Sequence, residues 1–222
     1  MKQRVAVLPV VGPVLRGVRS LQRRRAFHGS APYWESHYAA GGSSGEGSYG
    51  ELATFKAAVL NGFVAENQVT SVLELGCGDG HQLSLASYPR YTGLDVAATA
   101  IDLCLQRFAG DKTKSFLWYD AKRIANHGAL TADLAMSLDV LYHLIEDEVF
   151  DGYLRLLFGA GGRFIAIYSS DVDAGDSHPH VRHRRFTTWV AANAPEWSLT
   201  HEVANPIEDR DTAARFFFYA RA

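Results

Sequence analysis

Two short stretches carry the residues that can do chemistry. The first is ELGCGDG, residues 74–80, where Gly76, Gly78 and Gly80 alternate directly after the apolar run SVLEL. Glycines so spaced let a backbone turn sharply and offer its N–H groups to a ligand. The second is HPHVRHRRF, residues 178–186, which packs His178, His180 and His183 among Arg182, Arg184 and Arg185. Histidine exchanges protons near neutral pH, and arginine forks match carboxylates and phosphates. Three readings of this stretch stand side by side: recognition of an acidic or phosphorylated acceptor with a histidine base, a zinc or iron site, and a solvated basic loop offset by Asp171, Asp173 and Asp176. No cysteine joins the histidines, so no metal is expected.

The surrounding pattern shows how these stretches must be held. From residue 71 onward, strand-like runs alternate with helix-like ones. Strands are expected at SVLEL (71–75), YTGLD (91–95), KSFLWYD (114–120), ADLAMSL (132–138) and GRFIAIYSS (162–170). Helices are expected just after Gly80, over 97–108, over about 145–158 and over FTTWVAANA. The tail adds two strand-like runs, WSLTHEV and ARFFFYA. This predicts an α/β fold with a doubly wound, mainly parallel seven-stranded sheet and helices on both faces. Such sheets bind ligands beyond the carboxyl ends of their strands, which points to the residues after 75, 95, 120, 138 and 170.

Ahead of the sheet, ELATFKAAVLNGFVAEN (51–67) reads as an amphipathic helix with Leu52, Phe55, Val59, Phe63 and Val64 on one side. GGSSGEGSYG (41–50) is a loop by composition, preceded by the aromatic YWESHY (33–38). Aromatic side chains beside mobile glycines suit a ligand-covering lid, the alternative being a segment packed on the domain surface. Further upstream, Val7, Val11, Val14, Val18 and Leu21 make a weak amphipathic pattern broken by Pro9, Gly12, Pro13 and Gly17. Residues 1–25 can rest on an anionic membrane surface, fray, or pack on their own domain. A signal peptide fits poorly, because Arg16 comes early and no small-residue cleavage site follows. The chain is thus expected to divide into a basic extension (1–30), a lid segment with its leading helix (31–68) and a ligand-binding domain (69–222).

Composition narrows the classes. The 222 residues are 47% hydrophobic and 21% charged, which suits one core-bearing domain with an appendage. Seven of the 22 basic residues precede Ser30 and the first acid is Glu35, leaving 15 basic against 24 acidic residues in the rest. A net charge of -2 argues against general nucleic-acid binding. Only Cys77 and Cys104 are present, so a disulfide framework is not expected and a cytoplasmic setting is. No apolar run reaches the roughly 18 residues of a membrane span.

Three ligands compete for the glycine turn. A phosphate-binding loop needs Lys then Ser or Thr after its glycines, whereas His81 and Gln82 follow here. A dinucleotide fingerprint wants glycine where His81 stands, and an acid about 20 residues on rather than at Asp95. The run from Glu74 to Gly80 instead resembles the first motif of class I S-adenosylmethionine-dependent methyltransferases, which have a Rossmann-like fold. GLDV (93–96), the strand ending at Asp120 and ADLAMSLDVLYHLIED (132–147) are similar to three further motifs of that family, in the same order.

The resemblance implies S-adenosyl-L-methionine as cofactor. It places Asp95, with Val96, on the ribose hydroxyls, and Asp120, with Ala121, beside the adenine amino group. Ser137, Leu138 and Asp139 then pass the methionine part. The turn of Gly76, Cys77, Gly78 and Gly80 receives the methionine carboxylate, with Glu74 and Asp79 near the ammonium. Asp79 alternatively serves as a helix N-terminal acid. Tyr33, Trp34, Tyr38 and Tyr49 are candidates to cover the cofactor, since aromatic faces attract a sulfonium as they do an ammonium.

For the acceptor, His143 lies four residues after Asp139, so the two face each other on a helical turn. His143 and His183 are the candidate bases, with Asp139 as partner, and a packing role for His143 stands as the alternative. Tyr49, Tyr142, His178, His180, Arg182 and Arg184 are candidates to hold the acceptor. The YWE…Y segment, the GSYG turn and HVRHR are similar to a group of bacterial methyltransferases associated with surface-glycan assembly. The expected activity is O-methylation of a sugar or other small hydroxylated, acidic acceptor. N-methylation of a small molecule and non-catalytic cofactor binding are the alternatives.

Overall fold

The computed structural model describes residues 28–175, 178, 180–207 and 213–222. The basic extension up to residue 27 and Asp176 lie outside the described residues. Seven strands form one sheet: β1 (Val72–Leu75), β2 (Tyr91–Asp95), β3 (Lys114–Trp118), β4 (Ala132–Leu138), β5 (Gly161–Ser169), β8 (Trp197–Val203) and β9 (Arg215–Arg221). A two-residue hairpin, β6 (Ala174–Gly175) with β7 (Arg182–His183), stands apart. The sheet order is β3-β2-β1-β4-β5-β9-β8; all neighbours are parallel until β9, which runs antiparallel to both β5 and β8. The helices are α1 (Ser30–Ala39), α2 (Gly50–Glu66), α3 (Ala98–Arg107), α4 (Asp147–Ala160) and α5 (Phe186–Asn193).

The core sits in two layers because strand side chains alternate. Leu73, Leu75, Ile165, Ile167 and Phe217 face Leu154, Leu157 and Phe186 on one side of the sheet. Val72, Leu134, Met136, Ala166, Phe216 and Phe218 face Leu60 and Val64 of α2 on the other. β1 is buried along its whole length, as a central parallel strand covered on both faces must be. The chain leaves β1 for β2 on one side and crosses back from β3 to β4 on the other, and this reversal of strand order opens a crevice at the strand ends.

Three local expectations need correction. The helix after Gly80 is only a single 3-10 turn, Gln82–Leu85. Pro89 sits just ahead of β2 and disfavours helix before it, while Asn61 receives the chain, accepting from Ser87 N at 2.8 Å and donating to Leu85 O at 3.0 Å. The segment 41–50 is not loop throughout, since Glu46–Ser48 form a 3-10 turn and Gly50 opens α2, while the aromatic run 33–38 ahead of it forms the middle of α1. Finally, α2 buries Ala53, Lys56, Ala57, Leu60, Phe63 and Val64, leaving Leu52, Phe55 and Val59 half-buried. The inner face of this helix includes a buried charge, Lys56, whose partner Asp139 directly follows β4.

Candidate active site

The turn after β1 is left-handed at all three glycines, with φ of 79° at Gly76, 57° at Gly78 and 73° at Gly80. Only glycine adopts this conformation without strain. A Cβ at Gly76 would meet Val140 Cγ2 at 2.5 Å, one at Gly78 would meet Ser44 Oγ and Tyr38 OH, and one at Gly80 would lie 2.9 Å from Phe108. The missing side chains therefore make room for the protein's own neighbours, not only for a ligand. Gly76 N and Cys77 N both donate to Leu94 O, at 2.7 and 3.1 Å, which ties the turn to the end of β2.

A cavity of about 360 Å³ opens over the carboxyl ends of β1, β2, β3 and β4. Among the expected cofactor residues, Tyr38, Glu74, Gly76, Cys77, Gly78, Asp95, Val96, Asp120, Ala121, Leu138 and Asp139 line it together. Asp95 is buried; its Oδ2 accepts from Gly78 N and its Oδ1 from Ala97 N, both at 2.9 Å. Burial pushes its carboxyl up to about 6 despite these bonds. Glu74, also buried, accepts from Tyr91 OH at 2.6 Å, and burial pushes it up to about 7. Trp118 joins the wall, its indole N–H donating to Val96 O at 2.9 Å.

Asp79, Gly80 and Ser137 stand behind the cavity wall. Asp79 Oδ2 accepts from Ser44 N at 3.1 Å and Tyr49 OH at 2.8 Å, its Oδ1 accepts from His81 N, and its own N–H donates to Ser44 Oγ at 2.9 Å. It links the glycine turn to the loop that precedes α2. Ser137 Oγ lies 2.7 Å from Tyr153 OH inside the core, and since that phenol gives its one hydrogen to Leu75 O, Ser137 is the donor of the pair. The glycine-rich segment and α1 close over the cavity. Trp34, Tyr38, Ser44 and Ser48 line it, while Tyr49 stacks on His81 at 3.9 Å and Tyr33 on His180 at 4.6 Å. Glu35 of α1 caps the start of α3, accepting from Thr99 Oγ1 at 2.6 Å and Thr99 N at 3.2 Å. Ser30, at the start of α1, places its Oγ 2.8 Å from His143 O and 2.6 Å from Glu146 Oε2, so that its one hydroxyl hydrogen has two acceptors in reach.

The end of β4 carries a charge pair that the sequence pattern had not announced. Asp139 has φ of 60°, and its N–H donates to Tyr168 O at 2.9 Å. Its Oδ2 meets the wholly buried Lys56 Nζ at 2.5 Å, and its Oδ1 accepts from Tyr142 OH at 2.6 Å. Lys56 also lies 5.2 Å from the Tyr168 ring. A lysine in an amphipathic helix is by default a solvent residue, and the acid at the end of β4 is 83 positions away. Gln82 of the 3-10 turn and Tyr153 of α4 also line the cavity without having been foreseen.

His143 lines the cavity from the single turn after β4, with Trp34 edge-on at 4.9 Å and Tyr142 at 4.6 Å. Its Nδ1 lies 3.0 Å from His180 O. A carbonyl only accepts, so Nδ1 carries the hydrogen and Nε2 keeps a lone pair. Desolvation holds this imidazole down at about 4, which keeps it neutral at physiological pH. The remaining acceptor candidates, Tyr49, Tyr142, His178, His180, Arg182 and Arg184, do not line the cavity, and neither does His183, which meets Ser170 Oγ at 2.7 Å. Arg182 reaches Asp147 at 2.8 Å and Ile145 O at 3.1 Å. Arg184 donates to Leu144 O, to Ile145 O at 2.7 Å and to Asp147 at 3.0 Å. The Arg184 guanidinium is taken up by the protein itself, whereas among the described residues Arg182, its side chain 47% exposed, is engaged through Nη1 alone. Among the described residues no group of three or more His, Cys, Asp or Glu side chains can hold a metal ion, and no helix is long and apolar enough to cross a membrane.

Strand order, glycine turn and strand-end carboxylate together define the Rossmann-like methyltransferase fold. Residues 73–165, from β1 into β5, match the family model described as a methyltransferase domain. The bacterial CtHen1-C methyltransferase domain is similar in structure, with a TM-score of 0.63 at 17% identity over 77% of this chain and 99% of that one. Magnesium protoporphyrin IX methyltransferase from Synechocystis PCC 6803, solved with S-adenosylhomocysteine, has a TM-score of 0.60 at 14% identity over 80% of this chain and 90% of its own. The N-methyltransferase NodS from Bradyrhizobium japonicum WM9, also with S-adenosylhomocysteine, has 0.59 at 19% over 76% and 85%. At these identities the likeness is one of fold. No curated protein matches the chain in sequence.

Proposed function

We propose that the chain is an S-adenosylmethionine-dependent methyltransferase acting on a hydroxyl oxygen of a small acceptor, a sugar or glycan unit included. One observation carries the reading: a buried carboxylate, Asp95, stands beside the left-handed Gly76–Gly78 turn in a cavity of about 360 Å³. The chemistry of the wall fits the cofactor. Asp95 offers two acceptor oxygens to a vicinal diol, Glu74 a carboxylate to an ammonium, and Trp34 and Tyr38 aromatic faces to a sulfonium. The adenine end falls to Val96, Trp118, Asp120 and Ala121. The volume lies within the range of small-molecule sites, about 300–1,000 Å³. When bound, S-adenosylmethionine supplies an activated methyl group.

The protein's part in the reaction is positioning and proton removal. His143 lines the cavity, and its hydrogen-free Nε2 takes the acceptor's hydroxyl proton. Its weak basicity suffices because a hydroxyl becomes strongly acidic as its oxygen acquires the methyl group. Asp139, held by Lys56 and Tyr142, offers its carboxylate to the acceptor or the ammonium. The closed α1 segment excludes water. Two buried free thiols, Cys77 and Cys104, suit a reducing compartment such as the cytoplasm. Calorimetry with S-adenosylmethionine and S-adenosylhomocysteine, then a mass-shift screen of hydroxylated and amine acceptors, tests the reading. Transfer only to amines would replace the oxygen acceptor by nitrogen and leave the cofactor assignment standing.

A further inference from the structure

The segment after His143 and the loop around β7 are joined twice. Arg184 has a side chain only 12% exposed, stacked with Cζ 4.6 Å from the Phe150 ring centroid. Its terminal nitrogens donate to Leu144 O and Ile145 O, the two carbonyls that follow His143 in the chain, and to Asp147. Among the described residues its Nε is buried without a hydrogen-bond partner, and the two terminal nitrogens carry its bonds. Four residues earlier in the same loop, His180 O receives the Nδ1 hydrogen of His143 at 3.0 Å. Residues 143–145 and 180–184 thus close a ring: one side fixes the backbone beyond His143, the other fixes its imidazole.

We propose that Arg184 is a positioning residue for His143: by clamping Leu144 and Ile145 to the loop of residues 180–184, it keeps the His180 carbonyl on Nδ1 and the reactive Nε2 free of hydrogen. The inference rests on the reading of His143 as the base of the cavity, and it goes beyond that reading in naming what sets the tautomer. A planar fork is required, because it spans two successive carbonyls and a carboxylate at once. A lysine ammonium is a point donor on a flexible stem and cannot hold that arrangement. A neutral imidazole without a directing partner samples both tautomers, so the ring orientation depends on the clamp.

The full chain, labelled with 15N-histidine, reports the outcome at neutral pH through two-bond proton–nitrogen correlations, with His143 assigned from a His143→Gln spectrum. Wild type is expected to show the Nδ1–H tautomer alone. Arg184→Gln is expected to lose that single state, the Nε2–H form becoming the major species. Arg184→Lys keeps the charge and the stem over Phe150 but loses the fork, and is expected to lose it too; it decides the matter if Arg184→Gln fails to fold. Retention of pure Nδ1–H in the folded variants, or an Nε2–H tautomer in wild type, would overturn the proposal. Failure of the methyltransferase reading shows separately, as absence of S-adenosylhomocysteine binding by wild type, and leaves the tautomer readout intact.

Discussion

Lys56 and Asp139 meet at 2.5 Å across the interior, joining the helix that precedes the sheet to the end of its fourth strand. The ammonium is wholly buried and the carboxylate 14% exposed. Removing one partner of such a pair strands the other charge, at a cost of about 3–5 kcal/mol. Lys56→Met is therefore expected to lower unfolding stability by that order in urea titration. Lys56→Met/Asp139→Asn is expected to be less destabilised than the two single changes together, because neither charge is then left alone. Additive losses would contradict the pairing.

The pH dependence of cofactor affinity follows from Asp95 and Glu74. Burial raises both carboxyls, to about 6 and about 7, above the unfolded range near 4. The empty native state then binds more protons than the unfolded chain between those values, so these two groups favour folding below about pH 4 and that contribution is lost as pH rises through 6 to 7. Binding needs the ionised forms. Affinity for S-adenosylhomocysteine is expected to rise from about pH 5 to 8 and then level off, measured by calorimetry. A flat profile would argue that neither carboxylate receives the ligand.

Much of the frame was legible in the sequence, and the misses have physical causes. ADLAMSL is β4 to the residue, because a central strand buried on both faces reads as a mainly apolar run, here broken only by Asp133 and Ser137. The helix expected after Gly80 shrank to one 3-10 turn, since too few residues separate the glycines from Pro89 and β2. Gly76, Gly78 and Asp95 met in one cavity as the motif order implies. Lys56 escaped notice because its partner lies 83 positions on and no local pattern encodes that pairing. The arginines of HVRHR invited an acidic ligand, yet their partners are Asp147 and backbone carbonyls, which leave no trace in residue type.

Gly78→Ala probes the junction of glycine turn and lid. A methyl group there is strained by the φ of 57°, at about 1–2 kcal/mol, and would press on Ser44 Oγ and Tyr38 OH. The lid side chains are expected to swing away, so limited proteolysis should cut residues 40–49 faster in the variant than in wild type. An unchanged cleavage rate would place the lid contact elsewhere.

His143, half-buried beside Trp34, Tyr142, His180, His183 and Asp139, is expected to stay neutral from about pH 5 to 9, as its proton is held off until about 4. Its depressed value means the native state resists protonation, so stability from this group is present above about 6.5 and lost as pH falls towards 4. Histidine resonances followed by NMR should show no midpoint for His143 near 6.5. Once an acceptor is in hand, His143→Gln should lower turnover about 10²–10⁴-fold with cofactor affinity largely kept. A normal midpoint, or full turnover in the variant, would remove it as base.

The central claim is that Asp95 and the glycine turn hold S-adenosylmethionine. Calorimetric titration of wild type and Asp95→Ala with S-adenosylhomocysteine at about pH 8, above both raised carboxyls, tests it most directly. One site per chain is expected in wild type, weakened at least about tenfold in Asp95→Ala through loss of charge-assisted hydrogen bonds. No binding by wild type, or equal affinity in the two proteins, would contradict the account.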